Sequence, residues 1–412
     1  MQSLCKLGVA GVLALGVVLA GQVRAAPDEE ALGKRKGYPW GTAETWFYDE
    51  GVRIGSFSNL DRVLPHNRLA KAATALTLPA AAEPLQLTYR FGTQIATIDD
   101  FLARNRITGL LIVKDGTVRA ERYQYDRKPT HRFVSHSMAK SITSLAVGMA
   151  LQEGRIKSLD DPVSRYVPAL AGNPFGDASI RNVLRMSSGV AFKEIYDRND
   201  DLHNFTMLRA RRGVVEAIKA FANREAPQGT RFHYATIETH VLAAVMKAAT
   251  GMTLSDYLTP RLWQPLGAEA DALWRRYDSD GLETAGGTFS AVLRDYGRLG
   301  MLLANDGAIG GKQILPKDFL VEATDWRRHP EAFAPRKATP YFGYGYQFWT
   351  YPGEKRRFAL LGVYGQSIFV DPELKLVMVI TAATKTASVA KDPLARERDA
   401  LWRGLVNAYG RW

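Results

Sequence analysis

The sequence predicts an α+β fold: an antiparallel sheet flanked by helices, with a mainly helical region inserted into it. Three observations carry this. Strand-like runs lie toward both ends of the chain, at 110–123 and 357–380, with helix-like sequence between them. The pair Asp115-Gly116, favoured in type I′ turns, joins two such runs into a hairpin. The stretch 138–152 is apolar on almost every side, so it reads as a helix buried in a core rather than one lying on a surface.

Taken in order, the chain begins with Lys6, an apolar run from Leu7 to Ala20, and small residues around Ala25-Ala26. These are the three parts of a secretory signal, with cleavage after Ala25. The run is short for a membrane span. Gln22 follows Leu19-Ala20-Gly21 where a lipoprotein would carry cysteine. Residues 1–25 are therefore read as a signal peptide on an exported, periplasmic or secreted protein, with no stable membrane anchor after cleavage. An uncleaved anchor is the rival reading. Residues 26–95 read as a lead-in with little chemistry, including a possible strand or turn at Val52–Gly55. Residues 96–412 read as one domain with a helical insertion at roughly 160–285.

Within that domain, Thr97 to Arg106 predicts a short helix capped near Asp99, followed by the hairpin Leu110–Tyr123. Ile142, Leu145, Ala146 and Met149 recur at helical spacing, and Gly154 is a fitting stop. Residues 200–285 read mainly as helices and loops, and 291–305 as an amphipathic helix. Arg357–Gly362, Gln366–Val370 and Lys375–Ile380 read as strands, with a turn at Asp371–Leu374, and 393–409 as a closing helix.

Composition narrows the function. Hydrophobic residues make up 46% and charged residues 23%, as in ordinary globular proteins. The formal charge of +12 becomes +10 once Lys6 and Arg24 are removed with the leader. The basic residues are scattered and no nucleic-acid-binding motif accompanies them, so nucleic acid is not an expected partner. Cys5 is the only cysteine and lies in the leader. The mature chain thus has no thiol chemistry, disulfide or cysteine-ligated metal. The seven histidines lack metal-ligand spacing, and there is no glycine-rich phosphate loop, so neither a metal nor a cofactor is expected.

The chemistry points to Ser137-Met138-Ala139-Lys140, at the start of the buried helix. Residues three apart share a helix face. Burial favours the neutral amine of a lysine, which then serves as a base for a serine that is otherwise a poor nucleophile. The pattern alone is common, and Ser388-Val389-Ala390-Lys391 repeats it. That second copy runs into charged sequence and reads as a surface loop. Tyr234, in Arg231-Phe232-His233-Tyr234-Ala235-Thr236 just ahead of an apolar helix, is a candidate proton shuttle. A nearby lysine cation would favour its phenolate; a packed core tyrosine is the alternative. His136 reads as packed or solvent-facing rather than catalytic.

With these motifs in place, the chain resembles the serine β-lactamase and penicillin-recognising family. Ser137–Lys140 resembles its first motif and Phe232–Thr236 its tyrosine motif, while Leu360 to Ile380 resembles its edge strand and that strand's neighbour. Leu184–Gly189, Ala285–Ser290 and Arg294–Gly300 match as well, so the likeness spans roughly 95–385. It is greatest to the branch containing class C β-lactamases, family VIII esterases and 6-aminohexanoate-dimer hydrolases. The resemblance implies a β-lactamase-like fold and an acyl-enzyme at Ser137. Lys140 and Tyr234 would be general base and acid, and the backbone amides of Ser137 and Val363 would form the oxyanion hole. It further implies substrate contacts at Thr236, Gly362, Tyr364 and Gln366, with strand packing equally open for Tyr364. The substrate is expected to be a small ester or amide.

Two departures bear on that substrate. The family's third motif begins with Lys or His, where this chain has Leu360-Leu361-Gly362, and Thr236 stands where an Asn usually contacts a β-lactam side chain. Both argue for the esterase or amidase branch. A penicillin-recognising peptidase or weak β-lactamase is the runner-up. A non-catalytic binding module on the same fold is the alternative of another class.

Overall fold

The computed structural model of the protein describes residues 25–388, 390 and 392–412. The leader assigned to 1–25 lies outside the described residues apart from Ala25, as do Val389 and Lys391 of the second Ser-x-x-Lys stretch.

Seven antiparallel strands form the main sheet. From one side to the other they are Gly343–Tyr344, Trp349–Thr350, Phe358–Gly362, Gln366–Asp371, Leu376–Ala382, Ile107–Lys114 and Thr117–Tyr123. Strands from both ends of the chain therefore sit side by side at the centre, Leu376 opposite Lys114 and Ile380 opposite Leu110. Alternation sorts the side chains onto two faces. Leu111, Val113, Ile368, Val370, Val377 and Val379 join the main core. There the helices Met138–Gln152 and Leu293–Ala304 pack. Leu110, Ile112, Phe369, Met378 and Ile380 face a second core, closed by Leu394, Leu401, Trp402 and Leu405 of the helix Pro393–Tyr409. Burying large side chains on both faces, each worth roughly 1.5–3 kcal/mol, is what fixes the strand register.

The predicted hairpin forms with its type I′ turn, Asp115 and Gly116 lying at φ 50° and 76°. The short helix is Ile98–Arg104. Its cap is Thr97, in a reciprocal box with Asp100, rather than a residue near Asp99. Thr97 wins because its hydroxyl accepts from the amide of Asp100, the third helical residue, while the Asp100 carboxylate accepts from the Thr97 amide.

Three readings are corrected. Val52–Gly55 is neither strand nor turn but the middle of the helix Glu50–Ser58. The strand Phe358–Gly362 is not outermost: Trp349–Thr350 pairs with its first two residues, leaving the Leu360–Gly362 half unpaired on that side. The region read as helices and loops also contains a strand, Ala272–Arg275. That strand belongs to a smaller sheet in the order His66–Leu69, Ala272–Arg275, Phe289–Val292, Arg132–Val134. Through His66–Leu69 the lead-in segment is built into the fold. Such pairings join residues some 200 positions apart, so no local pattern announces them.

Candidate active site

Ser137 caps the helix Met138–Gln152 and Lys140 lies in its first turn. Lys140 is only 2% exposed, and its ammonium group has two acceptors: the Ser137 hydroxyl at 3.0 Å and the Gly286 carbonyl at 2.7 Å. A Cβ at position 286 would collide with the Thr236 methyl and lie 3.4 Å from Lys140 Nζ, so glycine keeps the lysine's berth open. Burial strips the ammonium of water and lowers its pKa to about 8, against a smaller opposing pull from Glu194. About a tenth is then neutral at pH 7, and half at pH 8.

The Tyr234 phenol lies near enough to Ser137 for that side chain to offset part of its pKa rise, and Lys140 Nζ lies 5.0 Å from the centre of its ring. Trp349 stacks on that ring at 5.5 Å. The expected phenolate is not favoured. Burial and the charge of Glu194 push the phenol's pKa up, so Tyr234 stays a neutral hydroxyl. Of the two groups, Lys140 is the one placed to take a proton.

The strand end Leu360–Gly362 runs alongside the serine. A Cβ on Gly362 would strike the Ser135 carbonyl and come within 3.1 Å of the Ser137 nitrogen, so only glycine permits the approach. Val363 opens the turn Val363–Gly365, and Ser137 caps its helix. Amides at such first positions have no acceptor within their own helix. Both are available to an oxygen on a substrate.

The remaining predicted contacts divide. Thr236 lines the cavity, but its amide and hydroxyl both bond to the Glu194 carboxylate, at 2.6 and 2.7 Å. Tyr364 and Gln366 have structural work instead. Tyr364 is 4% exposed, hydrogen-bonds to the Phe47 carbonyl and packs against Phe57 and His136. Gln366 is buried, and its amide bridges the Ala382 backbone in both directions and reaches the Val363 carbonyl. Both brace the turn that carries Val363. Leu360, where the family's third motif has a cation, is buried in the main core.

Ser137, Gly286, Gly287 and Val363 border a cavity of about 500 Å³. Its walls include residues that sequence reasoning missed: Trp46 and Phe47 from the lead-in, Tyr196 from the loop after Glu194, and Arg275 from the smaller sheet. His136 is packed, as one of the two readings had it. It is enclosed by Trp46, Phe47, Phe57 and Tyr364, and burial lowers its pKa to about 3. Another cavity, of about 600 Å³, lies between Leu76–Leu78 and Ile309–Gly311. Asp115 and Lys375 are its only charged lining. Among the described residues, no group of three or more His, Cys, Asp or Glu is placed to hold a metal ion.

Comparison with known proteins agrees with this architecture. Residues 95–401 match the Beta-lactamase family. A 6-aminohexanoate-dimer hydrolase of Paenarthrobacter ureafaciens is 28% identical over 362 residues, covering 83% of this chain and 90% of its own. Among solved structures, a provisionally assigned 6-aminohexanoate-dimer hydrolase from Bacillus anthracis superimposes with a TM-score of 0.75 at 23% identity, covering 88% and 94% of the two chains. A family VIII carboxylesterase does so with a TM-score of 0.56 at 18% identity, over 73% and 93%. The chain belongs to the Beta-lactamase family and is a hydrolase.

Proposed function

We propose that the protein is exported and hydrolyses an ester or amide through an acyl-enzyme on Ser137. The observation that carries this is the buried Lys140 amine, its pKa lowered to about 8 and its nitrogen 3.0 Å from the Ser137 hydroxyl, with the Tyr234 ring beside it.

The neutral Lys140 takes the hydroxyl proton as Ser137 Oγ bonds to the carbonyl carbon. The oxygen that becomes negative is held by the amides of Ser137 and Val363, and donors so placed are worth roughly 3–4 kcal/mol each. Collapse breaks the bond to the leaving group, which receives the proton from Lys140 through the Tyr234 hydroxyl. Water then adds to the acyl carbon and gives its proton to the same pair. The carboxylic acid leaves, and Ser137 regains its hydrogen.

The apolar Leu360 removes the cation that would hold a β-lactam carboxylate, and Glu194 occupies both polar groups of Thr236. These observations favour an ordinary ester or linear amide. The full-length relative bears the name of an amide hydrolase, which makes amides the first substrates to try. Export is supported by Lys6, the apolar run Leu7–Ala20 and the small residues at 25–26. A secreted product whose mass starts at Ala26 is expected; an intact Met1 form in the membrane fraction would refute it.

Intact-protein mass after incubation with a fluorophosphonate, a p-nitrophenyl ester and a penicillin tests the chemistry. One adduct from the first two reagents, absent from Ser137→Ala, is expected. The same adduct on the variant would sink the assignment of the nucleophile. A lasting penicillin adduct would move the reading to penicillin recognition.

A further inference from the structure

Lys140 stands in one helix and Tyr234 just ahead of another, and a single buried residue outside the cavity ties those two helices together. The helix Met138–Gln152 carries Lys140, and the helix Thr236–Thr250 begins two residues after Tyr234. The loop 345–348 joins the strands Gly343–Tyr344 and Trp349–Thr350, and is closed by a bond from the Gly345 amide to the Phe348 carbonyl. Gln347 sits in that loop, 2% exposed. Its backbone carbonyl accepts from the hydroxyl of Ser141, the residue after Lys140, at 2.6 Å. Its side-chain carbonyl accepts from the hydroxyl of Thr239, in the second helix, at 2.7 Å. Its side-chain nitrogen donates to the carbonyls of Val183 and Leu184, at 3.3 and 3.0 Å, where the helix Ile180–Leu184 ends. Gln347 thus joins three helices, with every polar atom of its side chain engaged.

The rest of the loop points the same way. The Tyr346 carbonyl accepts from the hydroxyl of Ser144, farther along the Lys140 helix, at 2.7 Å. The strands on either side of the loop each set a ring against Tyr234: Trp349 nearly parallel at 5.5 Å and Tyr344 edge-on at 6.3 Å. One short piece of chain is therefore in contact with both the helix of Lys140 and the ring of Tyr234. Gln347 itself is held at φ 64°, in left-handed backbone that glycine adopts freely and glutamine only at a cost. A loop that had only to turn would be better served by glycine there. What glutamine adds is the set of side-chain bonds to Thr239, Val183 and Leu184. Local strain of this kind gathers where the surroundings over-determine a residue for function.

We infer that Gln347 is a positioning residue for acyl transfer: it locks the helix of Lys140 to the helix behind Tyr234, so that amine and phenol are held beside Ser137 in one relative placement. This rests on the reading of Lys140 and Tyr234 as the proton-transfer pair. Gln347 is not among the residues that line the cavity beside Ser137, so it acts through its neighbours and not on the substrate. Its influence is on the distances over which protons move, where a misplacement of 1 Å can cost about 10²-fold in rate. The cavity walls that set substrate affinity are left as they are.

Kinetics on p-nitrophenyl butyrate with the full mature chain test this, with the active sites counted by fluorophosphonate titration. Gln347→Met keeps the length of the side chain and removes its hydrogen bonds. Per titrated site its kcat is expected to fall by about tenfold to a hundredfold, while KM changes by less than about threefold. Thr239→Val removes one of the same bonds from the other side and should lower kcat per site by at least about fivefold. Thr239→Ser, which keeps the hydroxyl, should retain most of the wild-type rate. A residue that only stabilised the fold would change the number of titratable sites and leave kcat per site alone. In Gln347→Met, a kcat per site within about twofold of wild type would therefore overturn the inference, as would a change confined to KM. If Gln347→Met yields no titratable sites, the Thr239 pair decides, and equal kcat per site in Thr239→Val and Thr239→Ser would overturn it. Wild type that gives neither turnover nor a Ser137 adduct would instead bring down the hydrolase reading, and this role with it.

Discussion

Two aromatic groups flank residues 136 and 137, and they are assembled differently. On one side Tyr234 lies parallel to Trp349, with Tyr344 and Phe232 edge-on behind it. These residues come from the inserted region and the outer strands, within the stretch matched to the family. On the other side Trp46, Phe47 and Phe57 enclose His136 together with Tyr364. Three of those four rings come from the lead-in segment, outside the matched stretch. The first group bears on the chemistry, because the Tyr234 phenol lies near Ser137 and its ring lies beside Lys140. The second fixes the backbone just before the nucleophile, since His136 is held at φ 44° in left-handed backbone. The comparison separates reaction from support.

The largest effect should come from the chemical side. Ser137→Ala should lower kcat/KM by about 10⁴-fold or more, and Lys140→Met by at least about 10³-fold. Lys140→Met carries a second signature. Below pH 8 the folded protein must hold a desolvated ammonium whose pKa has dropped from about 10.4 to about 8. Linkage makes that a cost of about 3 kcal/mol, offset in part by the hydrogen bonds to Ser137 and Gly286. Because the folded state binds fewer protons between pH 8 and about 10.4, the cost fades as pH rises through that window. The inactive variant should therefore be more stable than wild type at pH 7 by about 2 kcal/mol, and the gap should close by pH 10. Denaturant titrations at both pH values check this. A variant less stable at pH 7 would mean that the lysine's contacts outweigh its burial.

These expectations rest on residues that the sequence made readable. Ser137 and Lys140 stand in a short motif whose spacing follows from helix geometry, Tyr234 stands in a motif just ahead of an apolar helix, and an all-round apolar helix declares its own burial. The sheet strands were readable for the same reason, as runs of Val, Ile, Leu and Phe between turn residues. Trp46, Phe57 and Arg275 were not. Their value lies in contacts with positions 79 or more residues away, and nothing beside them in sequence marks those contacts. Gln366 was placed at the substrate, and Tyr364 left open between substrate and packing, for a related reason. Proximity in sequence to the Gly362–Val363 turn suggested the cavity, whereas their side chains brace the turn from behind.

The next effect is on Tyr234. Tyr234→Phe keeps the stacking on Trp349 and removes only the hydroxyl, so it isolates proton relay from packing. A loss of about 10²-fold in kcat is expected, within the range for one acid–base group, and substrates with a good leaving group should lose less. The pH profile separates the two partners. Protonated Lys140 cannot accept the serine proton, so wild-type kcat/KM should rise with pH through an apparent value of about 8. That limb should remain in Tyr234→Phe. If it vanished there, the tyrosine and not the lysine would be the titrating base.

The smallest catalytic effect, and the sharpest test of the comparison, is on the opposite wall. Phe57 is 4% exposed and its ring meets His136 edge-on at 4.6 Å. Phe57→Ala should cost about 3–5 kcal/mol of stability, the usual value for removing a buried phenylalanine. What remains folded should lose no more than about threefold in kcat, because no reacting group has been touched. Trp46 borders the cavity as well as stacking on His136, so Trp46→Ala should also raise KM. Active-site titration with a fluorophosphonate corrects the rates for unfolded protein. If Phe57→Ala then still lost about 10²-fold in kcat, the lead-in segment would be setting the position of Ser137 itself. The division between a reacting wall and a supporting wall would then have to be withdrawn.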